Sequence, residues 1–190
     1  HALILTGGPG KTGAARLAAR GALRIGAGLV TLACPQQAQW EVATHITAIM
    51  LKTLDGVPGL REMLEDERLH ALCLGPGMGL GADTQALVVE ALKSKRSIVL
   101  DADALTRFER NPEALFDLLH DRCVLTPHGG EFKRLFPDIA EKLNSPATTG
   151  PAYSKVDATR EAAARAGCTI LFKGPDTVIA DPTGRCSINS

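Results

Sequence analysis

Two glycine-rich segments of this 190-residue chain have the composition of anion-binding loops. Residues 7–14 (GGPGKTGA) and residues 75–81 (GPGMGLG) each stand between an apolar run and a helical pattern. Glycine amides at a helix N-terminus attract phosphate, because no Cβ blocks the approach and the helix dipole favours negative charge. The first segment is not a Walker A loop, since that pattern requires glycine where Leu5 stands. A purely structural glycine turn is the alternative reading of the first segment.

A pair of carboxylates follows another apolar run. Asp101 and Asp103 come directly after Ser-Ile-Val-Leu in the sequence. Two acids at the carboxyl end of a strand can orient Mg2+, mostly through water, or hold a sugar hydroxyl. The competing interpretation is that Asp103 only caps a helix.

Two later segments contain a histidine and a lysine that could contact a ligand. In residues 125–132 (LTPHGGEF), His128 stands among Thr, Glu, a rigid Pro and two glycines, a composition that favours a ligand clamp over core packing. Lys173 follows a strand-like run and precedes Gly174, which predicts a phosphate contact. For the lysine segment, a surface hairpin without a ligand is the alternative.

The elements that must position these residues alternate along the chain. Short runs that are apolar on both faces alternate with longer amphipathic segments, which predicts an α/β fold with a doubly wound, mostly parallel sheet flanked by helices. In such sheets ligands bind at the carboxyl ends of the strands. The predicted strands are 2–6, 29–33, 46–51, 71–74, 98–100, 123–125, 169–172 and 177–180, with a further strand at the end of the chain. The predicted helices are 13–25, 83–93, 112–119 and 154–166, and residues 144–153 are predicted to form a loop.

Composition excludes several classes of partner. Lys plus Arg and Asp plus Glu number 21 each, so no net charge attracts nucleic acid or an anionic membrane. No apolar stretch approaches the roughly 18 residues of a membrane span. The five cysteines lack metal-ligand spacing, so we expect buried, reduced thiols in a cytoplasmic protein.

Taken in order, five motifs resemble the NAD(P)H-hydrate dehydratase family of the ribokinase-like superfamily. They are GGPGKTGAARLAARGALRIGAGLVTL, LGPGMG, LDADAL, LTPHGGEF and FKGPDTVIADPTG. The resemblance implies a lyase that repairs hydrated nicotinamide cofactors, NADHX and NADPHX. ADP or ATP phosphorylates the ring hydroxyl of the hydrate, and loss of phosphate restores the nicotinamide.

The resemblance also implies site residues. Ala14, Gly77 or Gly79, and His128 resemble the residues that line the hydrate pocket. The segment that resembles the cradle for the nucleotide phosphates consists of Lys173, Gly174, Pro175, Asp176 and Thr177. The sequence departs from the family at Thr106, where Asn usually follows the DADAL motif.

The ends of the chain carry further expectations. We expect residues 1–190 to form a single ribokinase-like domain that is incomplete at its C-terminus. The family continues into a glycine-rich segment whose final Asp acts as the base, so the catalytic residue is expected beyond Ser190 and these 190 residues alone are expected to lack turnover. An epimerase domain often precedes such dehydratases, and members commonly form homo-oligomers. Two alternatives remain at this point: another ribokinase-like small-molecule kinase, and a catalytically inactive nucleotide-binding module.

Overall fold

A computed structural model describes residues 1–146 and 150–190 of the chain. The chain forms two compact units, residues 1–107 and residues 108–190, which are described separately. Among the described residues, no helix has both the length and the hydropathy that crossing a bilayer requires.

The first unit is built on a parallel sheet. Its strands are Ala2–Leu5 (β1), Val30–Cys34 (β2), Met50–Thr53 (β3), Ala71–Leu74 (β4) and Ser97–Leu100 (β5). They lie in the order β3-β2-β1-β4-β5, and each neighbouring pair is parallel. All the loops that leave the carboxyl ends of these strands therefore emerge at the same edge of the sheet.

Helices connect these strands and cover the sheet. They are Gly13–Arg24 (α1), Gln39–Ala43 (α2), Gly56–Leu64 (α3), Ala82–Lys93 (α4) and Asp103–Thr106 (α5), with a short 3-10 helix at Gln36–Ala38. Helix α1 presents Ala15 and Ala19 to the sheet, one turn apart, where they pack in one apolar cluster with Ile4 and Leu32. Small side chains on this face allow the helix backbone to lie close to β1 and β2.

The second unit has a mixed sheet. Its strands are Cys123–Leu125 (β6), Thr169–Phe172 (β7), Thr177–Ala180 (β8) and Cys186–Asn189 (β9). Strand β6 pairs with β7 in parallel, whereas β7 with β8 and β8 with β9 are antiparallel. Its helices are Glu113–Phe116 (α6), Gly129–Leu135 (α7), Pro137–Asn144 (α8) and Lys155–Ala166 (α9).

Phenylalanines form the aromatic part of the core of the second unit. Phe132 stacks on Phe172 with ring centroids 4.1 Å apart. Phe136 lies 5.1 Å from Phe132 on one side and 5.1 Å from Phe116 on the other. These contacts tie helices α6 and α7 to strand β7, so the loop that precedes α7 has a rigid support.

The predicted α/β class is confirmed, with parallel pairing wherever a helix connects neighbouring strands. The predicted strands 71–74, 123–125, 169–172 and 177–180 have the same bounds in the structure, and the expected last strand is β9. The predicted strand 46–51 was wrong over residues 46–49, because Ile46 and Ile49 pack against the core from a loop and the strand begins at Met50.

Helical structure around residues 112–119 and 144–153 differs from the prediction. The predicted helix 112–119 is reduced to a single turn, Glu113–Phe116. Part of the predicted loop 144–153, residues 147–149, lies outside the described residues, and Asn144 still belongs to helix α8. Helices α3, α7 and α8 were not predicted, since glycine or proline stands at or near the start of each.

Candidate functional site

The two glycine-rich loops of the first unit interlock through their backbones. A Cβ on Gly7 would lie 1.7 Å from the carbonyl oxygen of Gly77, and a Cβ on Gly77 would lie 2.3 Å from that of Lys11. Gly77 also has a φ of +77°, which disfavours any other residue. The loop that follows β1 and the loop that follows β4 therefore lie together at the carboxyl edge of the sheet, as the sequence predicted.

The loop that follows β5 joins them in the same way. A Cβ on Gly75 would lie 1.7 Å from the carbonyl oxygen of Asp101. The next residue, Ala102, has a φ of +47°, a conformation that non-glycine residues adopt only under local constraint. Close backbone packing accounts for the glycine at positions 7, 75 and 77, whereas Gly79 faces open space.

Asp103 anchors the second glycine-rich loop. Its Oδ2 accepts a hydrogen bond from the amide of Gly79 at 2.7 Å. Asp103 is the first residue of helix α5, but its side chain does not cap the helix, so the capping alternative is not the role the structure gives it. The carboxylate instead fixes Gly79, a glycine of this loop that faces open space.

Asp101 and Asp103 have the right donor chemistry for magnesium, since carboxylate oxygens are preferred ligands of this ion. One oxygen of Asp103 is engaged by Gly79. Within residues 1–146 and 150–190, no group of three or more His, Cys, Asp or Glu side chains could hold a metal ion. The pair therefore fits magnesium only where water or phosphate oxygens complete the coordination.

Glu41 occupies the N-terminal end of helix α1. Its Oε2 accepts a hydrogen bond from the Gly10 amide at 2.7 Å, and its Oε1 accepts one from the buried hydroxyl of Thr12. The Thr12 and Gly10 hydrogen bonds hold the pKa of Glu41 below its ordinary value. Within the segment predicted to bind an anion, the amide of Gly10 thus binds a carboxylate of the protein, while Ala14 remains exposed at the start of the helix.

A cavity of about 590 Å³ opens beside these loops, within the first unit. Gly7, Gly8 and Met78 bring both glycine-rich loops to its wall. The rest of the wall comes from residues at or just after the ends of β1, β2 and β3 and from the first half of α4. They are Thr6, Pro35, Gln36, Gln37, Thr53, Leu54, Asp55, Gly56, Asp83, Thr84 and Leu87. The sequence analysis did not identify this group, because no motif links the segments that supply it.

In the second unit, His128 begins helix α7 with a capping box. Its Nδ1 accepts hydrogen bonds from the amides of Gly130 (2.9 Å) and Glu131 (3.4 Å). Glu131 Oε2 in turn accepts one from the His128 amide at 2.9 Å, and Oε1 lies 3.3 Å from His128 Nε2. The imidazole is therefore oriented by its own helix, with 56% of its side chain still exposed to solvent.

The lysine segment forms the hairpin between β7 and β8. Its first residue, Lys173, donates its amide to the carbonyl of Pro127 at 2.9 Å, which places the hairpin beside the His128 loop. Lys155, at the start of α9, contacts the hairpin through its ammonium group. Its Nζ donates to the carbonyl oxygen of Asp176, lies 3.3 Å from the Asp176 carboxylate, and sits 4.6 Å from the centre of the Phe172 ring. Lys155 was missed by sequence analysis because it stands in an ordinary amphipathic helix.

The second unit closes with strand β9. Strand β9 ends at Asn189, and Ser190 follows it directly with an exposed side chain. The Asp that the family resemblance places beyond Ser190 is therefore not among the residues that the structure describes. Its role as the base stays a prediction, and the candidate site is described by its binding residues.

Comparisons with known proteins agree with the motif order. Residues 2–190 match the family model described as NAD(P)H-hydrate dehydratase. A bifunctional NAD(P)H-hydrate repair enzyme of Synechocystis is 38% identical over 97% of this chain, which spans 34% of that relative. The chain thus spans about a third of the length of the curated relatives that it matches.

Solved structures of similar proteins agree with the family match. The ADP/ATP-dependent NAD(P)H-hydrate dehydratase of Bacillus subtilis, co-crystallised with ATP/Mg2+ and soaked with CoA, matches with a TM-score of 0.74 and 26% identity, over 99% of this chain and 64% of that one. A ribokinase-like superfamily protein of Enterococcus faecalis has a TM-score of 0.75 at 20% identity, over 100% of this chain and 62% of that one, and supports the fold alone.

Proposed function

The chain belongs to the NAD(P)H-hydrate dehydratase family, and we propose that it contributes to ADP-dependent dehydration of NADHX and NADPHX. The reaction transfers a phosphoryl group to the ring hydroxyl of the hydrate, and elimination of phosphate restores the dihydronicotinamide. The proposal rests on the close backbone contact between the loops that bear Ala14, Gly77 and Gly79. Gly7 and Gly77 make this contact, and neither position has room for a larger residue.

Hydrate binding is assigned to four residues. Ala14 and Gly79 leave open space at the ends of their loops, where the flat ring of a hydrate can approach the backbone. Gly77 shapes the loop between them. His128, whose orientation is fixed by Glu131, offers the exposed edge of its imidazole.

Nucleotide binding is assigned to the hairpin. Lys173 supplies a positive charge. The backbone of Gly174, Pro175 and Asp176 follows it between β7 and β8, and Thr177 begins β8. A lysine beside open backbone amides favours the phosphates of ADP or ATP. Magnesium, which shields phosphate charge when bound, would be held near Asp101 and Asp103 mainly through water. The five free cysteines support action in a reducing, cytoplasmic compartment.

The proposal is tested by regeneration of NADH absorbance from NADHX in the presence of ADP, with a protein that includes the segment expected beyond Ser190. Replacement Lys173→Ala is expected to raise KM for ADP by about tenfold or more, because a charged hydrogen bond to phosphate is lost. Lys133→Ala, which removes an exposed lysine of helix α7, serves as the control and leaves KM unchanged. Absence of any ADP- or ATP-dependent regeneration of NADH would refute the proposed function.

A further inference from the structure

A second cavity of the first unit is lined by basic side chains. It has a volume of about 290 Å³ and lies between the last two turns of helix α1 and the loop that precedes strand β3. Arg20, Arg24 and His45 are the ionisable residues of its described wall, which contains no Asp or Glu. Neither arginine has an ion-pair or hydrogen-bond partner for its side chain among residues 1–146 and 150–190. The cavity therefore concentrates uncompensated positive charge on a chain whose net charge is zero.

This cavity lies away from the glycine-rich loops. Helix α1 runs from the carboxyl end of β1 to the amino end of β2, so Arg24, in its last turn, lies towards the amino ends of the strands. Residues 45–49 lead into β3 and lie at its amino end. In a parallel sheet this edge is opposite the edge from which the glycine-rich loops emerge. A ligand of the second cavity is therefore separate from the hydrate that those loops are proposed to bind.

The two arginines stand four residues apart and so share one face of helix α1. Like charges at this spacing repel each other, and an anion between the two guanidinium groups converts that repulsion into attraction. A cation in the last turn suits the helix dipole, which accounts for Arg24 but not for Arg20 one turn earlier. The helix end offers little opposition to an anion, because three carbonyl oxygens of its last turn accept hydrogen bonds from the amides of residues 25–27.

His45 provides a third nitrogen donor to this cavity. Its Nδ1 lies 2.7 Å from the carbonyl oxygen of Glu41, and because a carbonyl oxygen only accepts, Nδ1 carries the proton of that bond. Nε2 is therefore the nitrogen that can face a ligand. The Glu41 carboxylate is already bound to the Gly10 amide and the Thr12 hydroxyl. An anion held by the arginines favours the protonated ring, whose Nε2 then donates to it.

The remaining wall indicates the size and shape of the ligand. Thr47 adds a hydroxyl, and Leu23, Ile46 and Ile49 pack against the core and supply an apolar floor. At about 290 Å³ the cavity is at the lower limit of small-molecule sites, which favours a compact ligand. Three cationic groups match the terminal oxygens of a phosphate better than the two oxygens of a carboxylate.

We propose that this cavity binds a small phosphate monoester. Its phosphate lies between Arg20 and Arg24, with His45 as the third donor, and its organic part rests on the apolar floor. Binding at this site does not depend on the proposed dehydration, and it adds a second phosphate site to the one proposed for the nucleotide.

An NMR titration of isotope-labelled protein tests the proposal with phenyl phosphate, inorganic phosphate and benzoate as probes. The amides of residues 45–48 report on the cavity itself, so binding of a probe elsewhere is recognised by other residues. We expect phenyl phosphate to shift these amides and to bind at least about fivefold more tightly than inorganic phosphate, which lacks the apolar part. It should bind at least about tenfold more tightly than benzoate, which presents a carboxylate on the same ring.

Variants of the arginines test the assignment of the phosphate. Arg20→Gln and Arg24→Gln should each weaken the binding of phenyl phosphate by about tenfold, and the double variant should abolish the shifts of residues 45–48. Lys93→Gln is the matched control, because Lys93 is an exposed cation in the last turn of helix α4 that does not line the cavity. It should leave the affinity unchanged.

The absence of shifts at residues 45–48, or an equal loss of affinity in Lys93→Gln, would overturn the proposal. Benzoate that bound as tightly as phenyl phosphate would refute the choice of phosphate, and equal binding of inorganic phosphate would refute the ester. The titration contains no hydrate and measures no turnover. A failure of the proposed dehydration would therefore leave these results as they are, and the two failures are distinguishable.

Discussion

The amide of Gly79 donates a hydrogen bond of 2.7 Å to Asp103 Oδ2, across 24 residues of sequence. One end of this bond belongs to the loop assigned to the hydrate and the other to the acidic pair assigned to magnesium. The bond gives Asp103 a role in positioning the loop that does not depend on any metal. Substitutions at Asp103 can separate the two roles.

Replacing Asp103 by Asn keeps an oxygen that accepts the Gly79 amide but removes the negative charge. We expect Asp103→Asn to keep KM for the hydrate within about twofold and to raise the magnesium concentration that gives half-maximal rate. Asp103→Ala removes both functions and should also raise KM for the hydrate, because loss of the hydrogen bond costs about 1–3 kcal/mol. Steady-state kinetics at several magnesium concentrations measure both the KM for the hydrate and the magnesium dependence of the rate. Equal magnesium dependence in wild type and Asp103→Asn would exclude the metal role.

Gly7 and Gly8 are neighbours with opposite tolerance for a side chain. Gly7→Ala should lower the free energy of unfolding by about 1–3 kcal/mol, because its Cβ would overlap the carbonyl oxygen of Gly77. Gly8→Ala meets open space and should change stability by less than about 0.5 kcal/mol. Denaturant titration of the two variants measures the difference, and similar losses in both would contradict the interlocked arrangement.

The sequence predicted the bounds of the strands more accurately than the long-range contacts that position the site residues. Runs such as 71–74 and 169–172 are apolar and bounded by turn residues, so their limits follow from local pattern alone. The contact between Gly10 and Glu41 spans 31 residues, and that between Lys155 and Asp176 spans 21. Each joins an ordinary polar side chain of a helix to a distant loop, and no local pattern encodes the pairing. The common edge of the glycine-rich loops was predictable because parallel strands impose it.

The cysteines should differ in reactivity according to burial. Burial raises the pKa of Cys73 to about 11 and that of Cys168 to about 12, so both stay protonated at neutral pH. Only the thiolate is alkylated readily. We therefore expect iodoacetamide at pH 8 to modify the partly exposed Cys186 first in the native protein. Mass spectrometry of peptides gives the order, with denatured protein as the control in which all five react. Early modification of Cys168 would show that its surroundings open readily.

Asp138 should make stability depend on pH in the acid range. The Arg165 guanidinium, bound through two bonds of 2.7 Å, lowers the pKa of Asp138 from 3.8 to about 2. A lowered pKa stabilises the fold at pH values above 3.8, and this contribution is lost as the pH falls towards about 2. The pair is partly exposed, so Asp138→Asn should cost no more than about 1 kcal/mol at pH 7. Thermal melts of both proteins should converge near pH 2, and a constant difference at all pH values would contradict the assignment.

Lys155 should control nucleotide binding without touching the nucleotide. Its ammonium holds the backbone and the carboxylate of Asp176, and a Cβ on Gly174 would lie 2.5 Å from Nζ, so the lysine determines the shape of the hairpin. Lys155→Met keeps an unbranched side chain and removes the charge that lies over the Phe172 ring. We expect ADP affinity, measured by calorimetry, to fall by roughly three- to tenfold through loosening of the hairpin. Lys142→Met breaks an ion pair with Glu161 in the same unit and is the matched control, with unchanged ADP affinity. If Lys155→Met bound ADP as wild type does while its melting temperature fell, the lysine would serve stability alone, and the hairpin would owe its shape to the strands that flank it.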